Sequence, residues 1–370
     1  MRRPYIDWLR GLAVLIMMEW HALDAWTAAD SRSGEAFRVA ALVGGWAAPL
    51  FLFLAGVAIP FASLSNMRKG GVDRRAAARA VQVRGWQVFA LAHLFRFQSF
   101  LFDLSAPWSS LFKPDILNIL GLGLVAAAFC WGRATTGRRA VFLLVVPAVI
   151  IVLLTPWSRV WFWPTLLYPR LEAYIRPVGN LGVFTLFPWI AFVFIGTFVG
   201  HLISTPRPAD EEPAFHLKLA GAGLAVAIAG WTGSYLPPPF APSEFWTTSL
   251  SFFLIRLGVM TLALAAAWAW MERPTSDRWS PLVLFGRTSL FVYWVHVALA
   301  YGAFSAPLHR ALPFGWALVA FGMLIGLMLA LANRWSRRKA LSFVLQKASN
   351  ERERLSPARR TDERKFLLRH

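Results

Sequence analysis

Again and again along this chain, a run of about twenty mostly apolar residues recurs. As an α-helix rising about 1.5 Å per residue, such a run spans the roughly 30 Å hydrocarbon core of a bilayer. The runs fall at roughly 8–28, 39–63, 80–100, 115–131, 140–157, 182–203, 217–236, 248–271, 281–302 and 313–333. They predict an all-α fold, a polytopic membrane helical bundle of about ten transmembrane helices. The composition agrees: of 370 residues, 57% are hydrophobic and only 15% charged, whereas soluble domains are nearer half apolar and a quarter charged. Nineteen tryptophans suit a protein with two membrane–water interfaces.

The net charge of +19 invites a nucleic-acid reading, which the distribution of that charge excludes. The basic residues are scattered over separate loops, without interleaved stacking aromatics. Alternate links are basic, as in "RKGGVDRRAAARAVQVR" and "GRATTGRR", while "TAADSRSGEAF" and "PPPFAPSEFW" between them carry few Lys or Arg. Ten spans with both N and C termini cytoplasmic put every long basic loop on the cytoplasmic side. The chain then divides into a transmembrane domain, 1–333, and a basic cytoplasmic tail, 334–370, which holds twelve Lys or Arg. Membrane lipids are expected partners, and the expected location is the cell (inner) membrane, multi-pass. A homodimer is left open. The short Arg2–Arg3 start, without a small-residue cleavage site, predicts that the first run stays as a helix. A single cysteine, Cys130, excludes an internal disulfide framework and a Cys-based zinc site.

The first run, "DWLRGLAVLIMMEWHALDAW", is costly for a membrane helix because it carries Asp7, Arg10, Glu19, His21 and Asp24. Such residues usually face the bundle interior and serve a function. Arg10 and His21 are eleven residues apart, which is three full turns plus about 20° and a rise of about 16 Å. They share one face with Asp7 and Asp24, and Glu19 points nearly opposite. Other spans repeat the pattern at similar depth. His93 and Arg96 lie one turn apart in "WQVFALAHLFRFQSF", and Asp115 and Asn118 open "PDILNILGLG". Arg256 interrupts "TTSLSFFLIRLGVM", and Tyr293 and His296 close "LFGRTSLFVYWVHVALA". Each also has a plainer reading. Asp24 and Asp115 suit helix ends, His93 and Arg96 a helix-locking pair, Arg256 a headgroup contact, and His296 a neutral core histidine. Arg10 and Arg287 equally suit flanking positive charge.

"RPYIDWLRGLAVLIMMEWHALDAW" resembles the opening of the heparan-α-glucosaminide N-acetyltransferase catalytic-domain family. Its bacterial members begin Asp-x-x-Arg-Gly-Leu/Ile-Ala, then an apolar run and His; here these positions are Asp7, Arg10, Gly11, Leu12, Ala13 and His21. The acyltransferase-3 family of polysaccharide-modifying enzymes has a similar first helix. "PLFLFLAGVAIPF", "PDILNILGLGL" and "FPWIAFVFIGTFVG" are similar to the first family's segments, and "LFGRTSLFVYWVH" to the ending of these transferases. The likeness covers roughly residues 3 to 300. Lysosomal members carry further histidine-bearing and acidic positions between the first two helices, and the loop here, "TAADSRSGEAFRVAALVGGW", has no histidine.

The resemblance implies an acyltransferase that moves an acyl group from cytoplasmic acyl-CoA, expected to be acetyl-CoA, to a sugar hydroxyl or amine on the other side. The acceptor is a small molecule or a glycan. His21 would act as base or acyl carrier, with Asp24 fixing its tautomer, and His93, Asp115 and His296 are the further catalytic candidates. Arg10 and Arg287 would meet CoA phosphates, and Asn118 or His296 the thioester carbonyl or the acceptor. The same polar residues also suit a proton-coupled transporter or lipid-linked-sugar flippase, although no internal symmetry is evident, or a bundle merely locked by its charges. Phosphate-loop, HExxH, CxxC and GxSxG patterns are absent, and no metal is expected.

Overall fold

The computed structural model describes residues 3–102, 107–179, 181, 184–238, 240, 243–273 and 279–339. It is 82% helical, without a strand among the described residues. In chain order the principal helices are α1 (Pro4–Trp26), α2 (Glu35–Gly44), α3 (Ala47–Gly70), α4 (Arg74–Phe102), α5 (Ile116–Arg133) and α6 (Gly137–Val160). They continue as α7 (Leu186–Ser204), α8 (Glu212–Gly233), α9 (Leu250–Met271), α10 (Pro281–Arg287), α11 (Ser289–Tyr301) and α12 (Phe314–Lys339).

Among the described residues, seven stretches are long and apolar enough to cross a membrane, or eight if the bent α10–α11 pair is one span. The protein is an all-α, multi-pass membrane bundle. The count of ten is not established: α1 and α4 have the length, 23 and 29 residues, but charged side chains interrupt their apolar runs. One expected span also changes shape. The run 281–302 is not a single rod, because α10 and α11 meet at a 92° bend. At the corner Thr288 leaves helical geometry (φ −111°, ψ 17°). Its hydroxyl donates to the Leu284 carbonyl at 2.8 Å, which closes off the end of α10. Of the tail 334–370, Arg334–Lys339 continue α12; the remainder lies outside the described residues.

The charged first helix lies well inside the bundle. α1 packs against α2, α3, α9, α10 and α11, and Leu9, Ala13, Val14, Met18, Ala22 and Leu23 are wholly buried. Two glycines allow the closest approach. A Cβ on Gly11 would run into the Leu282 carbonyl, and one on Gly286 into the carbonyl of Asp7. α1 and α10 therefore meet backbone to backbone, as small residues permit between membrane helices.

At its start α5 is pinned by a capping box. The Asp115 N–H donates to Asn118 Oδ1 at 2.9 Å, and Asp115 Oδ1 accepts the Ile116 N–H at 2.6 Å. This reciprocal cap satisfies donors that a helix start otherwise leaves orphaned. It also fixes the position of both side chains.

Candidate active site

The polar residues of α1 form two groups about 16 Å apart along the helix. At the first, Asp7 is buried and shared by two guanidiniums: Arg10 at 3.3 Å and, from α10, Arg287 at 3.7 Å. A cavity of about 510 Å³ opens beside it, lined by Arg3, Asp7, Arg10, Ser65 and Lys69. The sequence reading singled out the two arginines. The buried carboxylate that organises them was legible as a member of the same helix face and as the first letter of the Asp-x-x-Arg-Gly pattern, but not as the partner of both.

The second group centres on His21. Its Nδ1 lies 2.9 Å from His296 Nε2, and the two rings stack with centroids 5.2 Å apart and planes within 13°. His296 is completely buried on α11, whereas His21 remains partly accessible. His296 Nδ1 lies 2.6 Å from the Val292 carbonyl. A carbonyl only accepts, so His296 Nδ1 carries its proton and donates it there. With both rings neutral, His296 Nε2 is then a lone pair, and the hydrogen between the rings belongs to His21 Nδ1. The order of bonds leaves His21 Nε2 unprotonated, a base on the accessible side of the pair.

Asp24 takes a different part from the one expected of it. Its carboxylate accepts the Tyr301 hydroxyl at 3.0 Å and pairs with Arg32 at 3.3 Å, and its backbone carbonyl is bonded by the same arginine. Tyr301 meets the His21 ring edge-on at 5.5 Å. The residue that sets the His21 tautomer is His296, and Asp24 holds Tyr301 beside the imidazole.

A third group lies where α4 meets α5. Arg96 pairs with Asp115 at 3.2 Å, and His93 Nδ1 lies 3.3 Å from Asn118 Nδ2 and 3.1 Å from its own Phe89 carbonyl. Tyr293 connects this group to the histidine pair. Its ring meets His296 at 5.9 Å and Phe95 at 6.1 Å, and its phenol interacts with Asp115. His21, His296, Asp115 and Arg96 thus belong to one electrostatic neighbourhood, with His93 at its edge, behind Asn118. In the loop beyond α6, burial together with the Asp115 charge pushes the Tyr174 phenol up to about 12.

Tyr293, which the sequence reading placed beside His296 without a role of its own, completes the site together with Tyr301 and Arg32, which it did not single out. Arg256 stays outside it, over the Phe252 ring at 3.9 Å, where it lines a separate cavity of about 720 Å³ with Arg159 and Arg176. Among the described residues, no three His, Cys, Asp or Glu are grouped to hold a metal ion.

The geometry is that of a partly accessible imidazole in a fixed bond order, with two guanidiniums around a buried carboxylate about 16 Å away along the same helix. The family model for the catalytic region of heparan-alpha-glucosaminide N-acetyltransferase matches residues 2–233, well over half of the chain. The chain belongs to this family. No curated protein matches it. Membership makes it a membrane acetyltransferase. The matched region contains His21, Asp24, His93, Asp115 and Asn118, and it ends before His296, Tyr293 and Tyr301. Those three enter the site on their geometry and, for Tyr293 and His296, on the sequence pattern, without support from the family match.

Proposed function

We propose that the chain transfers the acetyl group of acetyl-CoA to an amine or hydroxyl of a sugar, with His21 Nε2 as the general base. The observation that carries this reading is the ordered bond sequence Val292 carbonyl, His296, His21. It supplies a base in a fixed tautomer, as catalytic histidines need. Arg10 and Arg287 around Asp7 would hold the phosphates of CoA, where guanidiniums give strong charge-assisted bonds. The arm of the cofactor would then run along α1 toward His21.

In the reaction, His21 Nε2 takes the proton from the acceptor N–H or O–H as the acceptor's lone pair adds to the thioester carbonyl. The tetrahedral intermediate collapses with cleavage of the carbon–sulfur bond. The departing CoA thiolate recovers the proton from His21, which restores the neutral ring. The basic loops favour an orientation with the Arg10 end at the cytoplasm, so the donor enters there and the acceptor meets His21 from the opposite face of the cell membrane.

The test is acetyl transfer from radiolabelled acetyl-CoA to glucosamine by the full chain in nanodiscs. His21→Ala is expected to lower turnover by about 10²–10⁴, the usual worth of a positioned general base. Unchanged turnover would overturn the proposal.

A further inference from the structure

Behind His93 the structure holds a cavity of about 660 Å³ whose walls are almost wholly apolar. Phe89, Trp108, Phe112, Leu171, Tyr174 and Ile175 line it. It is continuous with the site: His93 lies in its wall and bonds Asn118, which caps Asp115. Three of its lining residues are exposed and aromatic or aliphatic: Trp108, Tyr168 and Leu171. Such a belt belongs at the level of lipid headgroups.

One cation breaks this apolar lining. Arg170 lines the cavity, makes no ion pair among the described residues, and buries its Nη1 without a hydrogen-bond partner. Its one aromatic contact, with the Tyr168 ring, is at 6.0 Å. A buried guanidinium N–H left unpaired is costly. An apolar cavity edged by one guanidinium, with an N–H left unsatisfied among the described residues, is complementary to an amphiphile that carries one anionic group next to a hydrocarbon chain. Neither a free sugar nor a neutral lipid satisfies both features.

We infer that this cavity receives the hydrocarbon chain of an anionic membrane lipid that carries the acceptor sugar, with Arg170 on its phosphate or carboxylate. This inference rests on the acetyl-transfer reading and narrows it: the acceptor is lipid-anchored, and the chain's site is the wall between Phe89 and Leu171. The anchored head is held beside His93 and so at the edge of the His21 neighbourhood. Binding energy from this remote anchor positions the reacting group, the way distal contacts are converted into orientation.

The experiment uses the full chain in nanodiscs and a diazirine-bearing alkyl phosphate, with labelled residues mapped by peptide mass spectrometry. Labelling is expected to concentrate on Trp108, Phe112, Leu171 and Tyr174, and to be competed by dodecyl phosphate but not by dodecyl maltoside or inorganic phosphate. Arg170→Gln weakens the competition about tenfold, the scale of one lost charge-assisted hydrogen bond, and Arg170→Lys restores part of it. Leu171→Trp narrows the cavity and weakens the labelling, while elution as a single peak on size exclusion shows that the variant is folded. Labelling spread evenly over lipid-facing positions such as Phe142 and Leu217, or competition by dodecyl maltoside or by phosphate alone, overturns the inference. His21→Ala keeps the labelling and loses the transfer, so a failure of the cavity and a failure of the base are read separately.

Discussion

Removing the inner histidine tests the bond order on which the chemistry depends. In His296→Phe the ring volume is largely kept, but His21 Nδ1–H loses its acceptor at 2.9 Å, and the Val292 carbonyl loses the 2.6 Å donor. A buried hydrogen bond lost in this way is worth about 1–3 kcal/mol. The imidazole is then free to swap tautomers and to turn its protonated nitrogen toward the acceptor. At 1.4 kcal/mol per factor of ten, acetyl transfer falls about 10- to 100-fold, less than the loss from His21→Ala. The double variant is the sharper measurement. His296 acts only through His21, so His21→Ala/His296→Phe is expected to equal His21→Ala alone, as residues working as one unit do. The assay is single-turnover transfer from radiolabelled acetyl-CoA to glucosamine in nanodiscs, with His296→Gln as a partial rescue because its amide both accepts and donates. If the two losses multiply, or if His296→Phe turns over like the wild type, the relay reasoning is wrong.

At the other end of α1, Asp7→Asn leaves Arg10 and Arg287 without the carboxylate they share. The KM for acetyl-CoA is expected to change more than kcat, with stability lowered by about 1–3 kcal/mol because both guanidiniums retain some water; steady-state kinetics and a thermal melt read the two effects. Gly286→Ala forces a methyl against the Asp7 carbonyl and should cost about 1–3 kcal/mol as overpacking, visible as a lower melting temperature. Tyr301→Phe removes the 3.0 Å bond to Asp24, a loss of about 0.5–1.5 kcal/mol; it should lower turnover by less than His296→Phe while leaving the KM for acetyl-CoA unchanged.

Much of the bundle was written in hydropathy, because a helix in lipid must satisfy its own backbone and show apolar side chains over a bilayer's thickness. Each of the expected runs coincides in large part with helix. What hydropathy lacks is direction. It reads 281–302 as one span because both halves are apolar, and only the Thr288 corner reveals the bend. The face shared by Arg10 and His21 was legible from the helical repeat alone. The partner of His21 was not, since His296 lies 275 residues away and no local period connects them. Asp24 was misread for a related reason. Three residues from His21, it looks like the natural tautomer partner, but Arg32 and Tyr301 compete for it. Nothing in the local sequence pattern singles out Tyr301.

The corner at Thr288 ties two distant contacts to one register. Arg287 ends α10 on Asp7, and His296 sits nine positions later on α11. One extra residue spliced between Ser289 and Val292 would swing every later side chain of α11 by about 100° and advance it by about 1.5 Å. Arg287 would keep its carboxylate, and His21 would face an apolar neighbour in place of an imidazole. Substitution can be tolerated along that turn; a change in its length cannot.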